Sequence, residues 1–131
     1  MTVLVVDAAN VVGSRPDGWW RDRAGAAERL LARLAALPGT SLSGPVECTA
    51  VVAVVEGRAR GVREPDGVRL VRAAGSGDDA LVQFAAEHAA DDLLVVTADR
   101  GLRDRLPGGV GVAGPGWLLE ELDRIDCAPP V

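Results

Sequence analysis

The sequence predicts an α/β fold with a central, mainly parallel sheet of about five strands, covered by helices on both sides. Two observations lead to this prediction. Short apolar runs alternate along the chain with segments of helical periodicity. The apolar runs lack the polar alternation of half-exposed strands, which is typical of strands buried on both faces. The 131 residues suffice for a single domain, and no linker or repeat divides them.

The first half of the chain contains three predicted strands and one long helix. TVLVVD (residues 2–7) is the first strand, and a polar, glycine-rich loop follows it. The helix runs from Trp19 to about Leu37, where leucines recur at helical spacing until Pro38-Gly39 stops it. After a loop come the second strand at 46–57 and the third at 67–74.

The direction of the third strand stays open. The link from Val55 to Val68 has no helical pattern, yet parallel neighbours need a crossover of about a dozen residues. The later elements are a helix at 78–90, a strand at 93–99, a short helix at 100–106, a strand at 109–114 and a helix at 115–125. Residues 126–131 are predicted to be a disordered tail.

Composition excludes several classes of function. All 14 basic residues are arginine, so mechanisms that need a lysine amine, such as the P-loop and Schiff-base chemistry, are excluded. Cys48 and Cys127 support neither a disulfide framework nor a thiolate zinc site. No apolar run is long enough to span a membrane, so we expect a cytoplasmic protein. The net charge of −5 does not indicate a general polyanion-binding protein, but acids gathered around metal ions would be compatible with nucleic acid.

Four aspartates are predicted to converge. Asp7 ends the first strand, Asp99 follows the apolar core of the strand at 93–99, and Asp78 and Asp79 open a helix. Ligands of open α/β sheets bind beyond the carboxyl ends of the strands. If the two acid-terminated strands are neighbours, these carboxylates from three remote segments meet at one point.

Each aspartate also has a purely structural explanation. Ser76 and Asp79 fit a capping box, Asp99 fits a helix N-cap, and Asp7 fits a turn in which its side chain binds its own backbone. These explanations leave Asp78 unaccounted for. Gathered carboxylates repel one another, and Mg²⁺ or Mn²⁺, which prefer oxygen ligands, would relieve that repulsion.

Five sequence blocks carry a family resemblance. They are VVDAANVVG, VVAVVEG, GVRLVRAAGSGDDALVQFA, LLVVTADRGLRDRL and GVGVAGPGWLLEEL. In this order and spacing, from about residue 2 to residue 124, they resemble NYN domains of the PIN-like nuclease superfamily, specifically the bacterial YacP-like branch. The resemblance implies a three-layer PIN-like fold over residues 1–125 and Mg²⁺- or Mn²⁺-dependent ribonuclease activity.

The resemblance also implies roles for individual residues. The acids matching the family's metal ligands are Asp7, Asp78, Asp79 and Asp99. Asn10 matches an asparagine that orients a ligand or the scissile phosphate, Thr97 the small hydroxyl residue before the last acid, and Arg100 the residue after it. Glu56 stands where many relatives carry aspartate and is expected to act only from outside the ligand set.

Further substrate contacts are expected from arginines and a tryptophan. Arg58 and Arg60 belong to a cluster at 58–72 that would hold the RNA backbone. Trp19 and Trp20, beside Arg15, could stack on bases, and the alternative is that one of them packs the first helix against the sheet.

The preferred hypothesis is therefore a metal-dependent ribonuclease. One rival is a catalytically weak RNA-binding module, with RNA and the ribosome or translation machinery as partners. Another rival, an aspartate-nucleophile phosphatase, is disfavoured because Ala9 stands where its second acid belongs and lysine is absent. The sequence does not indicate the oligomeric state.

Overall fold

The computed structural model describes residues 1–15 and 18–126, without the side chain of Trp19. The strands are β1 (Thr2–Asp7), β2 (Thr40–Leu42), β3 (Val46–Val55), β4 (Val68–Arg72), β5 (Leu93–Val96) and β6 (Gly111–Ala113). The helices are α1 (Ala8–Gly13), α2 (Arg23–Leu34), α3 (Gly77–Glu87), α4 (Arg100–Arg105) and α5 (Pro115–Asp126). Two 3₁₀ turns lie at Trp19–Arg21 and Gly57–Gly61.

The strands form one six-stranded, mainly parallel sheet. Its order is β2-β3-β1-β5-β6, and β4 pairs with the second half of β3. The β1–β3, β1–β5, β3–β4 and β5–β6 pairs are parallel, whereas β2 runs antiparallel to β3. The predicted α/β class is confirmed. The direction of the 67–74 strand, which the sequence left open, is parallel to β3.

Alternate residues of the central strands pack into two different layers. Leu4 and Val6 of β1 belong to the cluster that α1, α2 and α5 cover, whereas Val5 belongs to the cluster beneath α3 and α4. In β3, Ala53 and Val54 divide between the two clusters in the same way. Helices thus cover both faces of the sheet, which confirms the three-layer arrangement. Strands covered on both faces need apolar residues at every position.

Two predicted loops contain regular structure instead. Thr40–Leu42 forms strand β2, so the sheet has six strands where about five were expected. A three-residue strand with two polar side chains carries no apolar run that the sequence could reveal. The segment after β1 forms helix α1, because the Asp7 side chain accepts a hydrogen bond from the Asn10 backbone amide and begins a helix there.

The long predicted helix at 19–37 is also divided. Trp19–Arg21 is a 3₁₀ turn, and α2 begins only after Asp22, whose side chain accepts a hydrogen bond from the Gly25 amide at 2.9 Å. Helix α5 includes Asp126, the first residue of the predicted tail, and residues 127–131 lie outside the described residues. Among the described helices, none is long and apolar enough to cross a membrane.

Glu121 of α5 fixes this helix to the turn between β2 and β3. Its side chain is 5% exposed and accepts hydrogen bonds from the backbone amide of Ser43 at 2.6 Å and the Ser43 hydroxyl at 3.0 Å. Burial alone would raise the pKa of this carboxyl, but the bonds from Ser43 and Arg124 outweigh burial and lower the pKa. The carboxylate therefore stabilises the fold in its charged form.

We expect Glu121→Ala to destabilise the protein by about 2–3 kcal/mol, because it removes a buried carboxylate that accepts two hydrogen bonds from Ser43. The neighbouring Glu120 is exposed on the same helix, and Glu120→Ala should change the unfolding free energy by less than about 0.5 kcal/mol. Urea denaturation at pH 7.5 measures both. Equal effects of the two substitutions would contradict the role given to Glu121.

Candidate functional site

The parallel pairing of β1 with β5 brings Asp7 beside Thr97. Val6 lies opposite Val96, so the residues that follow both strands meet at the carboxyl edge of the sheet. The Thr97 hydroxyl donates a hydrogen bond to Oδ2 of Asp7 at 3.1 Å and accepts one from the Asp99 amide at 3.1 Å. Asp7 is 5% exposed and Thr97 1%. One buried hydroxyl thus links the two strand-terminal acids.

Asn10 adds a second link between the same segments. Oδ1 of Asp7 accepts a hydrogen bond from the Asn10 amide at 3.4 Å. Oδ1 of Asn10 accepts a hydrogen bond from the Ala98 amide at 2.9 Å. Since its carbonyl oxygen is used within the protein, the side-chain amide group of Asn10 is the part that can donate to a ligand.

The carboxyl group of Asp78 lies close to those of Asp99 and Asp7. Oδ1 of Asp99 accepts a hydrogen bond from the Leu102 amide at 3.1 Å and caps α4, as the structural explanation of this residue predicted. Asp78 lies in the first turn of α3, and its carboxyl group is close enough to that of Asp99 for the charge of Asp99 to raise the pKa of Asp78. Ser76 caps α3 by accepting from the Asp78 amide at 3.1 Å.

Glu56 follows β3, which is the neighbour of β1 on the side away from β5. Its carboxyl group is close enough to Asp7 and Asp78 to raise their pKa values. Its Oε2 accepts a hydrogen bond from the Gly77 amide at 2.6 Å. A Cβ atom at position 77 would lie 2.9 Å from Cδ of Glu56, so only glycine fits there without displacing Glu56. The first residue of α3 is therefore matched to the acid at the end of β3.

Asp79 does not join this group. Its side chain is 70% exposed and forms an ion pair with Arg105 of α4 at 2.6 Å. Consecutive residues of a helix point about 100° apart, and the Asp79 carboxylate is turned toward Arg105 of α4. The capping-box role predicted for Asp79 is not observed either, because its carboxylate is paired with Arg105.

The electrostatics of the group follow from burial and crowding. Burial raises the pKa of Asp7 to about 6, hydrogen bonds from Asn10 and Thr97 oppose the shift, and the charges of Asp78 and Glu56 add to it. The pKa of Asp78 is also raised, first by burial and then by the charges of Asp99 and Glu56, with Arg105 acting in the opposite direction. Asp7 and Asp78 are thus held where negative charge is poorly compensated.

The donor chemistry of this acid group (Asp7, Asp78, Asp99 and Glu56) suits a hard divalent cation, since every side-chain donor is a carboxylate oxygen. With the side chains as they stand, however, no set of three or more carboxylate, imidazole or thiolate groups in the described part of the chain could hold a metal ion. Metal binding would therefore require these carboxylates to turn toward a common point.

The other predicted substrate-binding residues lie in different surroundings. Thr97 is buried, and its hydroxyl bonds to Asp7, so it positions the acids instead of facing solvent. Arg15 forms an ion pair with Asp123 of α5 at 3.3 Å. Arg100 is exposed and lines a shallow groove with Arg103. The side chain of Trp19 lies outside the described residues, whereas Trp20 is 54% exposed.

The predicted arginine cluster at 58–72 divides into two kinds of residue. Arg58 and Arg60 are exposed on the 3₁₀ turn after Glu56. Arg72 instead donates hydrogen bonds to the carbonyls of Arg60 and Val62 and holds that turn in place. The guanidinium of Arg69 lies 5.7 Å from the centre of the Phe84 ring. Arg69 and Arg72 thus have structural contacts of their own.

A pocket beside the acid group was not foreseen from the sequence. It has a volume of about 460 Å³, and Ala8, Val12, Ala27, Glu56 and Arg58 are among the residues that line it. Most of the lining residues come from β3, α1, α2 and the 3₁₀ turn at Gly57–Gly61. Scattered alanines are ordinary core residues in a sequence, so no local pattern indicated that they share a cavity.

Comparisons with known proteins identify the fold. No protein-family model matches the chain, and no curated protein is significantly similar to it. The crystal structure of Rae1 (YacP) from Bacillus subtilis, in its W164L mutant form, matches with a TM-score of 0.70 and 21% sequence identity. The match covers 96% of this chain and 77% of the Rae1 chain. The resemblance to the YacP-like branch is thus confirmed at the level of the fold.

We expect Asp7→Asn to stabilise the metal-free protein at neutral pH. The folded-state pKa of Asp7 is about 6, above its ordinary value of 3.8, so ionisation of Asp7 opposes folding as the pH rises between these values. A difference of about two between the folded-state and unfolded-state pKa values corresponds to about 3 kcal/mol of unfolding free energy. Loss of the Thr97 hydrogen bond offsets about 1 kcal/mol of the gain.

The measurement is urea denaturation with chelator at several pH values. Asp7→Asn should be more stable than the wild type by about 1–2 kcal/mol at pH 7.5. This advantage should vanish near pH 4, where the Asp7 carboxyl of the folded wild type is protonated and that of the unfolded chain is only partly ionised. Asp104→Asn makes the same chemical change at an exposed position of α4 and should have no such pH dependence. An Asp7→Asn variant less stable than the wild type throughout would contradict the prediction.

Proposed function

We propose that this protein is a ribonuclease that depends on Mg²⁺ or Mn²⁺ and hydrolyses RNA phosphodiester bonds at the acid group. The observation that carries the proposal is the convergence of Asp7, Asp78 and Asp99 from three separate segments at the carboxyl edge of the sheet. The fold shared with Rae1 (YacP) and the sequence resemblance to YacP-like NYN domains support the same function.

Metal ions would be held by Asp7, Asp78 and Asp99, with Asp79 joining them if it leaves Arg105. A bound divalent ion supplies a water of lowered pKa and neutralises charge that develops on the phosphate. The raised pKa values of Asp7 and Asp78 are consistent with a group that lacks positive charge. Glu56 adds a further negative charge and is held by the Gly77 amide.

The chain's own residues would orient the acids and the phosphate. Thr97 and the Asn10 backbone amide fix both oxygens of Asp7, so this carboxylate keeps one orientation. The side-chain amide of Asn10 would donate to a phosphate oxygen, because its carbonyl oxygen is already bonded to the Ala98 amide. Arg58, Arg60 and Arg100 are exposed and would contact phosphates along the strand.

Metal binding can be tested without any substrate. Mn²⁺ should raise the melting temperature of the wild type, because a ligand that binds only the folded state stabilises it. Asp7→Asn should remove most of this increase, and Asp104→Asn should retain it. A wild type whose melting temperature does not respond to millimolar Mn²⁺ or Mg²⁺ would contradict metal binding at this group.

Cleavage is tested with structured and unstructured RNA, in Mn²⁺ and in chelator. We expect cleavage only with metal, and a loss of roughly a hundredfold or more in Asp7→Asn, Asp78→Asn and Asp99→Asn. Asp104→Asn should remain active. Undiminished cleavage by Asp7→Asn would contradict the assignment of the acids.

A second function is favoured by one observation, namely that the described carboxylates are not arranged to hold a metal ion as they stand. The protein would then be an RNA-binding module on the same fold, with the ribosome or translation machinery as a further partner. The outcome that identifies it is a shift of RNA on a native gel in chelator, with no cleavage when Mn²⁺ is added.

A further inference from the structure

The pocket next to the acid group (the Ala-lined pocket, formed by Ala8, Val12, Ala27, Ala59, Glu56 and Arg58 among others) has no role in the steps described above. Its volume of about 460 Å³ falls within the range of small-ligand sites, roughly 300–1,000 Å³. Small apolar side chains form most of its wall, and charged groups stand among them. Such a lining suits a flat, largely apolar group with polar edges.

The position of the Ala-lined pocket relates it to the acid group directly. Ala8 follows Asp7 in the chain, and Glu56 is close enough to Asp7 to affect its pKa. A group occupying the pocket would thus lie beside whatever is bound at the acids. If the acids take a phosphate of an RNA strand, as proposed above, the pocket lies within reach of a neighbouring nucleotide.

Glu56 gives the pocket a hydrogen-bonding preference. Its Oε2 accepts a bond from the Gly77 amide, and within the described part of the chain Oε1 accepts none. A carboxylate can only accept hydrogen bonds, so it favours bases that carry an exocyclic amino group. Uracil has no amino group, and its single Watson–Crick donor, N3–H, lies between two carbonyl oxygens that a carboxylate repels. The carboxylate of Glu56 therefore disfavours uracil.

Arg58 supplies a contact of another kind. It is exposed where it lines the pocket, on the 3₁₀ turn whose carbonyls are held by Arg72. A guanidinium at this place contacts the phosphate of any nucleotide, whatever its base. Base preference and general affinity thus depend on different residues.

We propose that the Ala-lined pocket receives one nucleobase of a single-stranded RNA held at the acid group, with Glu56 favouring a base that carries an amino group over uracil. This proposal rests on the proposed function for the placement of the strand, but its occupant can be tested by binding alone. It specifies the substrate as single-stranded RNA with a base preference at one position.

The test is fluorescence anisotropy with labelled RNA hexamers A₆, C₆ and U₆ in excess chelator. The wild type should bind A₆ and C₆ at least about fivefold more tightly than U₆. Glu56→Gln keeps an acceptor for the Gly77 amide but adds a donor, so it should shift the ratio of affinities toward U₆. Because the ratio is compared, the general gain in affinity from removing a negative charge cancels.

Two further variants separate the pocket from the rest of the surface. Ala59→Leu fills the pocket and should bring A₆ and C₆ to the affinity of U₆, whereas Ala86→Leu makes the same change at an exposed position of α3 and should leave all affinities unchanged. Arg58→Ala should weaken all three hexamers by a similar factor. Wild-type ratios retained in both Ala59→Leu and Glu56→Gln would overturn the proposal.

Cleavage of a randomised single-stranded RNA distinguishes this proposal from the proposed function. Metal-dependent cutting with no base bias in the wild type would overturn the pocket proposal and leave the nuclease standing. The A₆ and C₆ preference in chelator, altered by Glu56→Gln but accompanied by no cutting in Mn²⁺, would support the pocket and overturn the nuclease. A depletion of uracil at one fixed distance from the cut, lost in Ala59→Leu, supports both.

Discussion

The hydroxyl of Thr97 connects the ends of two parallel strands and thereby determines the geometry of the acid group. It donates to Asp7, at the end of β1, and accepts from the backbone amide of Asp99, beyond the end of β5. The parallel register of β1 and β5 makes this bridge possible, because it brings equivalent positions of the two strands to the same edge. Asn10 reinforces the connection through the Ala98 amide. The site is therefore built into the sheet.

This construction has an electrostatic consequence. A carboxylate that is 5% exposed and faces other acids is stabilised less than it would be in water, which its pKa of about 6 expresses. Asp79 shows the contrasting case, since its carboxylate is 70% exposed and paired with Arg105. Helix capping alone does not require the burial of Asp7, since Asp22 caps α2 from an exposed position. The unfavourable burial is understandable if a cation compensates the charge.

Much of the fold can be predicted from the sequence, because strands buried on both faces appear as continuous apolar runs. The runs at 2–7, 46–57 and 93–99 were recognised as strands, and the acids Asp7 and Asp99 were located at their ends. Strand β2 and helix α1 were missed, since one has no apolar run and the other depends on a single capping contact. The outward turn of Asp79 was missed because its partner, Arg105, lies on another helix.

The distribution of the arginines bears on how an acidic chain could hold RNA. Several arginines are engaged with the protein itself: Arg15, Arg33, Arg72, Arg105 and Arg124. Arg58 and Arg60 are exposed on the turn that Arg72 fixes, immediately after Glu56. Arg58 thus places positive charge at the Ala-lined pocket, although the net charge of the chain is −5. Local placement of a few guanidinium groups, more than overall charge, would set where a phosphate backbone lies.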